Sequence, residues 1–307
     1  MLENGAYPMN RLLLSRRNLL FAIGASGAGC AASRSDTQMP ATPLVPSRFA
    51  ELERRVGGKL GVAALDTGSG KRVEYRAGER FAMCSTFKLP LVAAVLERVD
   101  AGHEDLQRRV AFDASVILEY APVTKLHVEE GSMSVEALCE AAITVSDNTA
   151  ANLLLETVGG PAGFTERLRA WGDAMSRLDR NEPMLNAALA GDVRDTTTPF
   201  AMVGTLQRLL LGHVLSDASK QRLCDWLVAT KTGLERLRGG VPPQWRAGDK
   251  TGTGNNGATN DVAIVWPPGK APLLIAAYTW GSQAESEQIV AVLADSAKLV
   301  LQELGAA

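Results

Sequence analysis

The chain has 307 residues, of which 46% are hydrophobic and 21% charged, with a formal net charge of −2. That length can bury a sizeable core in one large domain or two modest ones, and the near-balanced charge excludes the clustered basic excess of a nucleic-acid binder. No stretch reaches the roughly 18 apolar residues needed to cross a bilayer, so neither a nucleic acid nor a stable membrane span is expected.

At the amino terminus, Ser15-Arg16-Arg17-Asn18-Leu19-Leu20 runs into an apolar stretch over 19–28, with small residues over 29–33. A basic region, an apolar region and a small-residue cleavage zone together read as an export signal over 1–32. Its paired arginines resemble a twin-arginine signal, an ordinary secretory signal being the alternative. Met9-Asn10-Arg11 opens a normal signal, so the residues before it read as an upstream start. Cys30 offers lipid anchoring as a weaker reading, because Gly27 stands where a larger aliphatic is usual. Either way the mature protein is expected in the periplasm or secreted. Residues 33–46 are polar and proline-rich, and read as a linker.

The catalytic domain is placed at 47–307. Ser47 is expected to cap a helix whose Phe49, Leu52 and Val56 share one face. Residues 60–65 are small and apolar, 66–70 turn-like, and 72–76 alternate with period two, which together predict a hairpin. Helical patterns follow over 89–99, 135–144, 150–158 and 202–211. Strand patterns return over 261–266 and 273–280, joined by Pro267-Pro268-Gly269, before an amphipathic helix over 287–304. The fold class is therefore α+β. An antiparallel sheet lobe flanked by helices is built from both termini (47–83 and 228–307), and an all-helical lobe (84–227) is inserted between them. A site is expected in the cleft between the lobes.

Four short motifs occur in one order. Ser85-Thr86-Phe87-Lys88 puts a hydroxyl and an amine three residues apart, on one helix face. A serine becomes a nucleophile once a neighbour takes its proton, and a lysine in a cationic cleft can lose its own. Pro90, two residues on, is awkward for a helix and predicts a local kink. Ser146-Asp147-Asn148 can be a plain cap or turn, or a proton relay (Ser146) beside a substrate-holding amide (Asn148). Glu182 and Asn186, four apart, can hold one water between a carboxylate and an amide, as hydrolysis of an intermediate requires. Lys250-Thr251-Gly252, with Thr253 and Gly254, leads through a Gly- and Asn-rich turn into the strand near 261. An earlier copy, Lys231-Thr232-Gly233, has no strand pattern behind it, so the later one is taken as the functional copy.

In this set and order, the motifs resemble those of the class A β-lactamases from about residue 48 to the end. The resemblance implies a serine hydrolase acting on a small β-lactam substrate through an acyl-enzyme on Ser85, as a monomer and without a cofactor or metal. It makes Lys88 and Glu182 the general-base candidates, Glu182 and Asn186 the holders of the hydrolytic water, and Ser146 the proton relay. Asn148, Lys250, Thr251, Gly252 and Thr253 would bind substrate, Tyr120 would wall the cleft, and the backbone amides of Ser85 and Thr253 would form the oxyanion hole. Arg180 and Asp195 match the ion pair that closes the loop carrying Glu182. Where many members carry an arginine, this chain has Thr259. Arg236 matches the substitute arginine of other members and is expected to bind the substrate carboxylate, with Arg238 as backup.

The chain also departs from the family. Where some members complete a disulfide, the partner position for Cys84 is Gly254 and that for Cys139 is Val92, so neither family disulfide is expected. The first absence lowers the expectation of a carbapenem-hydrolysing enzyme of the disulfide-bearing type. Two rivals share the serine, lysine and Lys-Thr-Gly elements: a penicillin-binding DD-peptidase and a β-lactam sensor that stays acylated. The Glu182–Asn186 pair argues against both. A metallohydrolase is disfavoured, since His103, His127 and His213 have no zinc-site spacing. Residues 66–71 lack the first glycine of a phosphate loop.

Overall fold

The computed structural model describes residues 45–306; the export signal and nearly all of the linker lie outside the described residues. The first helix, α1 (Val45–Val56), opens two residues before Ser47. Ser47 therefore stands inside the first turn rather than capping it, and Pro46, whose fixed φ and missing N–H suit a helix start, occupies that turn. Strands β1 (Lys59–Asp66) and β2 (Arg72–Tyr75) form the expected hairpin, with Val62 opposite Tyr75 and Leu65 opposite Arg72. After a short β3 (Phe81–Ala82), α2 (Lys88–Asp100) begins. Pro90 sits in the first turn of α2, where its missing N–H has no intrahelical role, so no kink is needed.

The helical part continues with a small ribbon, β4 (Arg109–Ala111) and β5 (Ser132–Ser134), then α3 (Val135–Thr144), α4 (Asn148–Thr157) and α5 (Gly160–Ala170). Next come β6 (Thr196–Thr197), paired with β3, then α6 (Pro199–Leu210) and α7 (Asp217–Val228). Helices α5 and α7 are additions to the sequence reading. The start of α5 is crowded with Gly159, Gly160, Pro161 and Gly163, and burial of Phe164 and Leu168 overrides that weak local preference. The chain returns to the sheet through β7 (Arg246–Thr253), β8 (Thr259–Trp266) and β9 (Leu273–Trp280), and ends in α8 (Ser286–Leu304).

The sheet is antiparallel throughout, in the order β2-β1-β9-β8-β7, so its centre joins the first strand to the last. Alternate residues serve two cores. Val62, Ala64, Val265 and Ile275 pack with Phe49 of α1 and Val292, Leu293 and Val300 of α8. Ala63, Leu65, Ile264, Leu274 and Tyr278 face the helical part, where α2 is central. Every residue of α2 from Lys88 to Leu96 is buried, the signature of a helix surrounded by protein on all sides. This is the α+β class expected from the sequence. Strand β7 is an edge, and the turn at the head of α2 packs against it. Added side-chain bulk at Gly252 would stand 2.7 Å from Met83 O and 3.1 Å from Thr86 N, so only glycine permits that approach.

Candidate active site

A cleft of about 380 Å³ opens along β7, lined by Ser85, Tyr120, Ser146, Asn148, Asn186, Arg236, Thr251, Gly252 and Thr253, with Thr232 as an unexpected tenth member. Lys88, Glu182 and Lys250 lie beneath its floor, each no more than 3% exposed. Twelve of the residues singled out in the sequence thus gather in or under one cleft, and Arg238, the expected backup anchor, does not line it.

Ser85 stands in a 3-10 turn (Cys84–Phe87) that runs directly into α2. Cys84 before it has φ +45°, and Ser146 across the cleft has φ +60°. Such left-handed backbone is costly for residues with side chains and persists where surrounding packing enforces it, often at functional sites. The Ser85 hydroxyl donates to Glu182 Oε1 at 3.1 Å, and the Lys88 ammonium reaches the same oxygen at 3.0 Å. The Ser85 hydroxyl and the Lys88 ammonium therefore meet at one carboxylate oxygen. The other oxygen, Oε2, accepts from Asn186 Nδ2 at 2.5 Å.

Lys88 also donates to Ser146 O (2.8 Å) and Asn148 Oδ1 (2.5 Å). A buried ion pair survives only with such saturation. Burial holds the Lys88 ammonium below the ordinary lysine range, with Glu182 opposing the shift. Lys250 donates to Ser146 Oγ at 3.0 Å and to Thr251 O at 2.9 Å. Its pKa is pushed down to about 7, first by burial and then by the positive charge of Lys88. The Ser146 hydroxyl thus accepts from Lys250 and, at 3.3 Å, from Lys88. With its lone pairs so engaged, its own proton is free to be donated elsewhere.

In Ser146-Asp147-Asn148 the cap falls to the middle residue. Asp147 caps α4 by accepting from Ala150 N at 2.9 Å, and it also accepts from Val123 N and Thr124 N. That cap fixes the loop from which Ser146 and Asn148 reach Lys88. Glu182 is held by a residue the sequence reading passed over. Asn152 donates to Glu182 O (2.9 Å) and accepts from Glu182 N (3.0 Å). Its position four after Asn148, on the same face of α4, was the available signal. The neck of the Glu182 loop is closed by Asp195, fully buried, which accepts from Arg180 Nε (2.5 Å), Arg180 N (2.9 Å) and Asp179 N (2.7 Å).

The open edge of β7 is occupied in a regular way. Ala247 O accepts from Arg238, Asp249 O from Thr230 and Thr251 O from Lys250. Gly254 N donates inward to Ala258 O, and alternation along a strand then turns the Thr253 N–H outward, into the cleft. Arg236 donates from Nη1 to Gly252 O and Asn260 O and from Nη2 to Thr253 Oγ1, at 2.8–2.9 Å. Arg238 does not back it up. Its guanidinium turns away from the cleft to Val228 O, Thr230 O and Ala247 O, and lies 3.4 Å from Asp249. The 3-10 turn Leu237–Gly240 is the cause: two residues apart on so tight a helix cannot point the same way.

Behind β7, Asp249 and Asp261 are fully buried, and both Asp249 oxygens and one Asp261 oxygen have no hydrogen-bond partner among the described residues. Burial raises the Asp249 pKa to about 6 and that of Asp261 well above the usual range, the neighbouring carboxylate adding to the rise for Asp261. A carboxyl raised in the folded state contributes stability that is fully present below its unfolded pKa and lost as pH rises through the folded value. For Asp249 the loss runs from about pH 4, the unfolded value, to about pH 6. Asp261→Asn removes one charge and keeps an acceptor for Leu237 N, which now donates to Asp261 at 3.0 Å. The melting temperature of the native chain should fall from pH 5 to pH 8 more steeply than that of the variant. A difference of about 2–4 °C is expected per kcal/mol in a domain this size, and parallel declines would contradict the assignment.

Cys84, Cys139 and Cys224 are buried and free, and burial pushes the Cys84 thiol up to about 12. His103 and His213 are exposed and His127 is half-buried beside Glu130.

Known proteins carry the same architecture. Residues 45–304 match a family described as "Beta-lactamase enzyme family". The chain is 45% identical to the β-lactamase AST-1 of Nocardia asteroides, over 98% of this chain and 99% of that one. It is also 45% identical to the carbapenem-hydrolysing β-lactamase KPC of Klebsiella oxytoca, over 86% and 90%. The solved structure of an ancestral class A β-lactamase, 56% identical, superposes with a TM-score of 0.83 over 85% of this chain and all of that one.

Proposed function

Because the chain belongs to the class A β-lactamase family and hydrolyses β-lactams, we propose that Ser85, Lys88, Ser146, Glu182 and Asn186 carry that reaction. The observation that carries the assignment is the shared oxygen: Glu182 Oε1 touches both the Ser85 hydroxyl and the Lys88 ammonium.

In acylation Ser85 Oγ attacks the β-lactam carbonyl carbon while its proton passes to the Glu182–Lys88 pair. The oxyanion is held by the N–H groups of Ser85 and Thr253, the latter turned toward the cleft by strand alternation. As the C–N bond breaks, Ser146 donates its free proton to the ring nitrogen and recovers one from the lysines behind it. The product is an ester on Ser85. In deacylation Glu182 takes a proton from a water held between it and Asn186, the water oxygen attacks the ester carbonyl, and as the ester C–O bond breaks Ser85 Oγ takes that proton back from Glu182. A DD-peptidase or a sensor would need Ser85, Lys88 and Lys250 equally, but it would leave the Glu182–Asn186 contact at 2.5 Å without a task.

Substrate binding falls to Asn148, the Tyr120 wall, and a row of donors along β7: Lys250, Thr251, Thr253 and Arg236. Three of the five guanidinium N–H groups of Arg236 are engaged by protein, which fixes its plane and leaves the remainder for the carboxylate common to penicillins and cephalosporins. Arg236→Ala should raise KM for penicillins and weaken inactivation by clavulanate. A charge-assisted hydrogen bond contributes about 1.5–3 kcal/mol, so kcat/KM should fall roughly ten- to hundredfold. An unchanged KM would move the anchor to Lys250, since Arg238 faces away.

A further inference from the structure

The first Lys-Thr-Gly copy, set aside on sequence grounds, ends beside the second. Thr232 Oγ1 lies 2.8 Å from Thr251 Oγ1, and both residues line the cleft. The segment that carries Thr232 is tied at each step. Thr230 Oγ1 donates to Asp249 O (2.9 Å), Lys231 N donates to Thr144 O (2.9 Å), and Gly233 is packed so closely that a Cβ there would stand 1.7 Å from Asp249 Oδ2. Thr232 is thereby fixed to the end of α3 on one side and to β7 on the other.

From this contact we infer that Thr232 is a positioning residue for the substrate carboxylate, acting through Thr251. The inference rests on the carboxylate row proposed above. Two hydroxyls at 2.8 Å share one proton between them, and the other proton must point elsewhere. Neither hydroxyl has a further hydrogen-bond partner among the described residues, and either could donate to the other. With Thr232 as donor, the Thr251 proton is directed into the cleft. Arg236 does the same for Thr253, by donating to its oxygen and leaving its proton free. Two parallel chains result, Thr232 to Thr251 and Arg236 to Thr253, each ending in a hydroxyl that donates to one anion. Such relayed donors strengthen one another. The two threonines are therefore a specificity device for β-lactams that carry a free carboxylate next to the ring nitrogen.

A double-mutant cycle on the full enzyme with benzylpenicillin tests this. Thr232→Val keeps the shape and removes the donor. It should raise KM about three- to tenfold, the scale of one neutral hydrogen bond, with kcat within about twofold, and Thr232→Ser should restore KM. In a Thr251→Val background, adding Thr232→Val should raise KM no further, because the relay has already lost its end. A simple packing role would add its full effect in both backgrounds, and that outcome, an unchanged KM in Thr232→Val, or no rescue by serine overturns the inference. If Arg236→Ala and Thr251→Val also leave KM unchanged, the carboxylate row itself fails, and Thr232 fails with it.

Discussion

Replacing Ser85 with alanine should abolish turnover of every β-lactam and prevent any covalent adduct from forming. The loss should be on the order of a millionfold in kcat, the scale seen when a serine hydrolase loses its nucleophile. The structure makes the variant a clean test. Ser85 contributes one hydrogen bond, to Glu182 Oε1, and that oxygen keeps Lys88 as a partner at 3.0 Å when the hydroxyl is removed. The buried carboxylate is therefore not left uncompensated, and the fold and the substrate row along β7 should survive. Penicillin binding without reaction, measured by calorimetry, should persist near the native affinity. Because the catalytic groups act as a unit, Ser85→Ala combined with Glu182→Ala should be no slower than Ser85→Ala alone. Substantial residual hydrolysis by Ser85→Ala would move the nucleophile elsewhere.

Glu182→Ala should separate the two halves of the reaction. Steady-state turnover is expected to drop by about three orders of magnitude or more, since deacylation loses both its base and the group that places the water. Acylation should slow but continue, because losing the Glu182 charge that opposes the burial-driven fall in the Lys88 pKa favours the neutral amine, which can accept the serine proton while still donating to Ser146 O and Asn148 Oδ1. Kinetically, one equivalent of ring opening should precede a near-stop. A Glu182→Asn variant would test the geometry further: an amide at this position can hold a water but accepts no proton, so it too should stall after one turnover. Near-native rates in either variant would remove the water-activating role, and with it the main argument against the DD-peptidase and sensor readings.

Much of this site was legible in the sequence because its residues lie in short motifs whose local geometry is predictable. Ser85 and Lys88 share a helix start, Glu182 and Asn186 are four apart, and Lys250 to Thr253 end one strand. The sheet was legible for a related reason, since period-two alternation over 72–76 and apolar runs over 60–65 and 273–280 suit half-buried and fully buried strands respectively. What escaped were contacts between distant segments. Asp249 and Asp261 face each other only because β7 and β8 pair with Thr251 opposite Asp261, a register no single-strand pattern states. Thr232 was set aside because no strand follows it, yet a loop can bring a hydroxyl to a strand as well as a strand can. Arg238 reads as a spare anchor only until the 3-10 turn is seen, because no sequence pattern announces that turn and within it residues two apart point different ways.

The proposed hydrolysis proceeds through an ester on Ser85 that Glu182 clears. Mass spectrometry after mixing Glu182→Ala with benzylpenicillin tests it most directly, first on the intact protein and then on its peptides. One adduct of full substrate mass, persisting for many minutes, is expected on the peptide that contains Ser85, and none in Ser85→Ala treated identically. An adduct on another residue, an adduct in Ser85→Ala, or unmodified Glu182→Ala that still turns over substrate would contradict it.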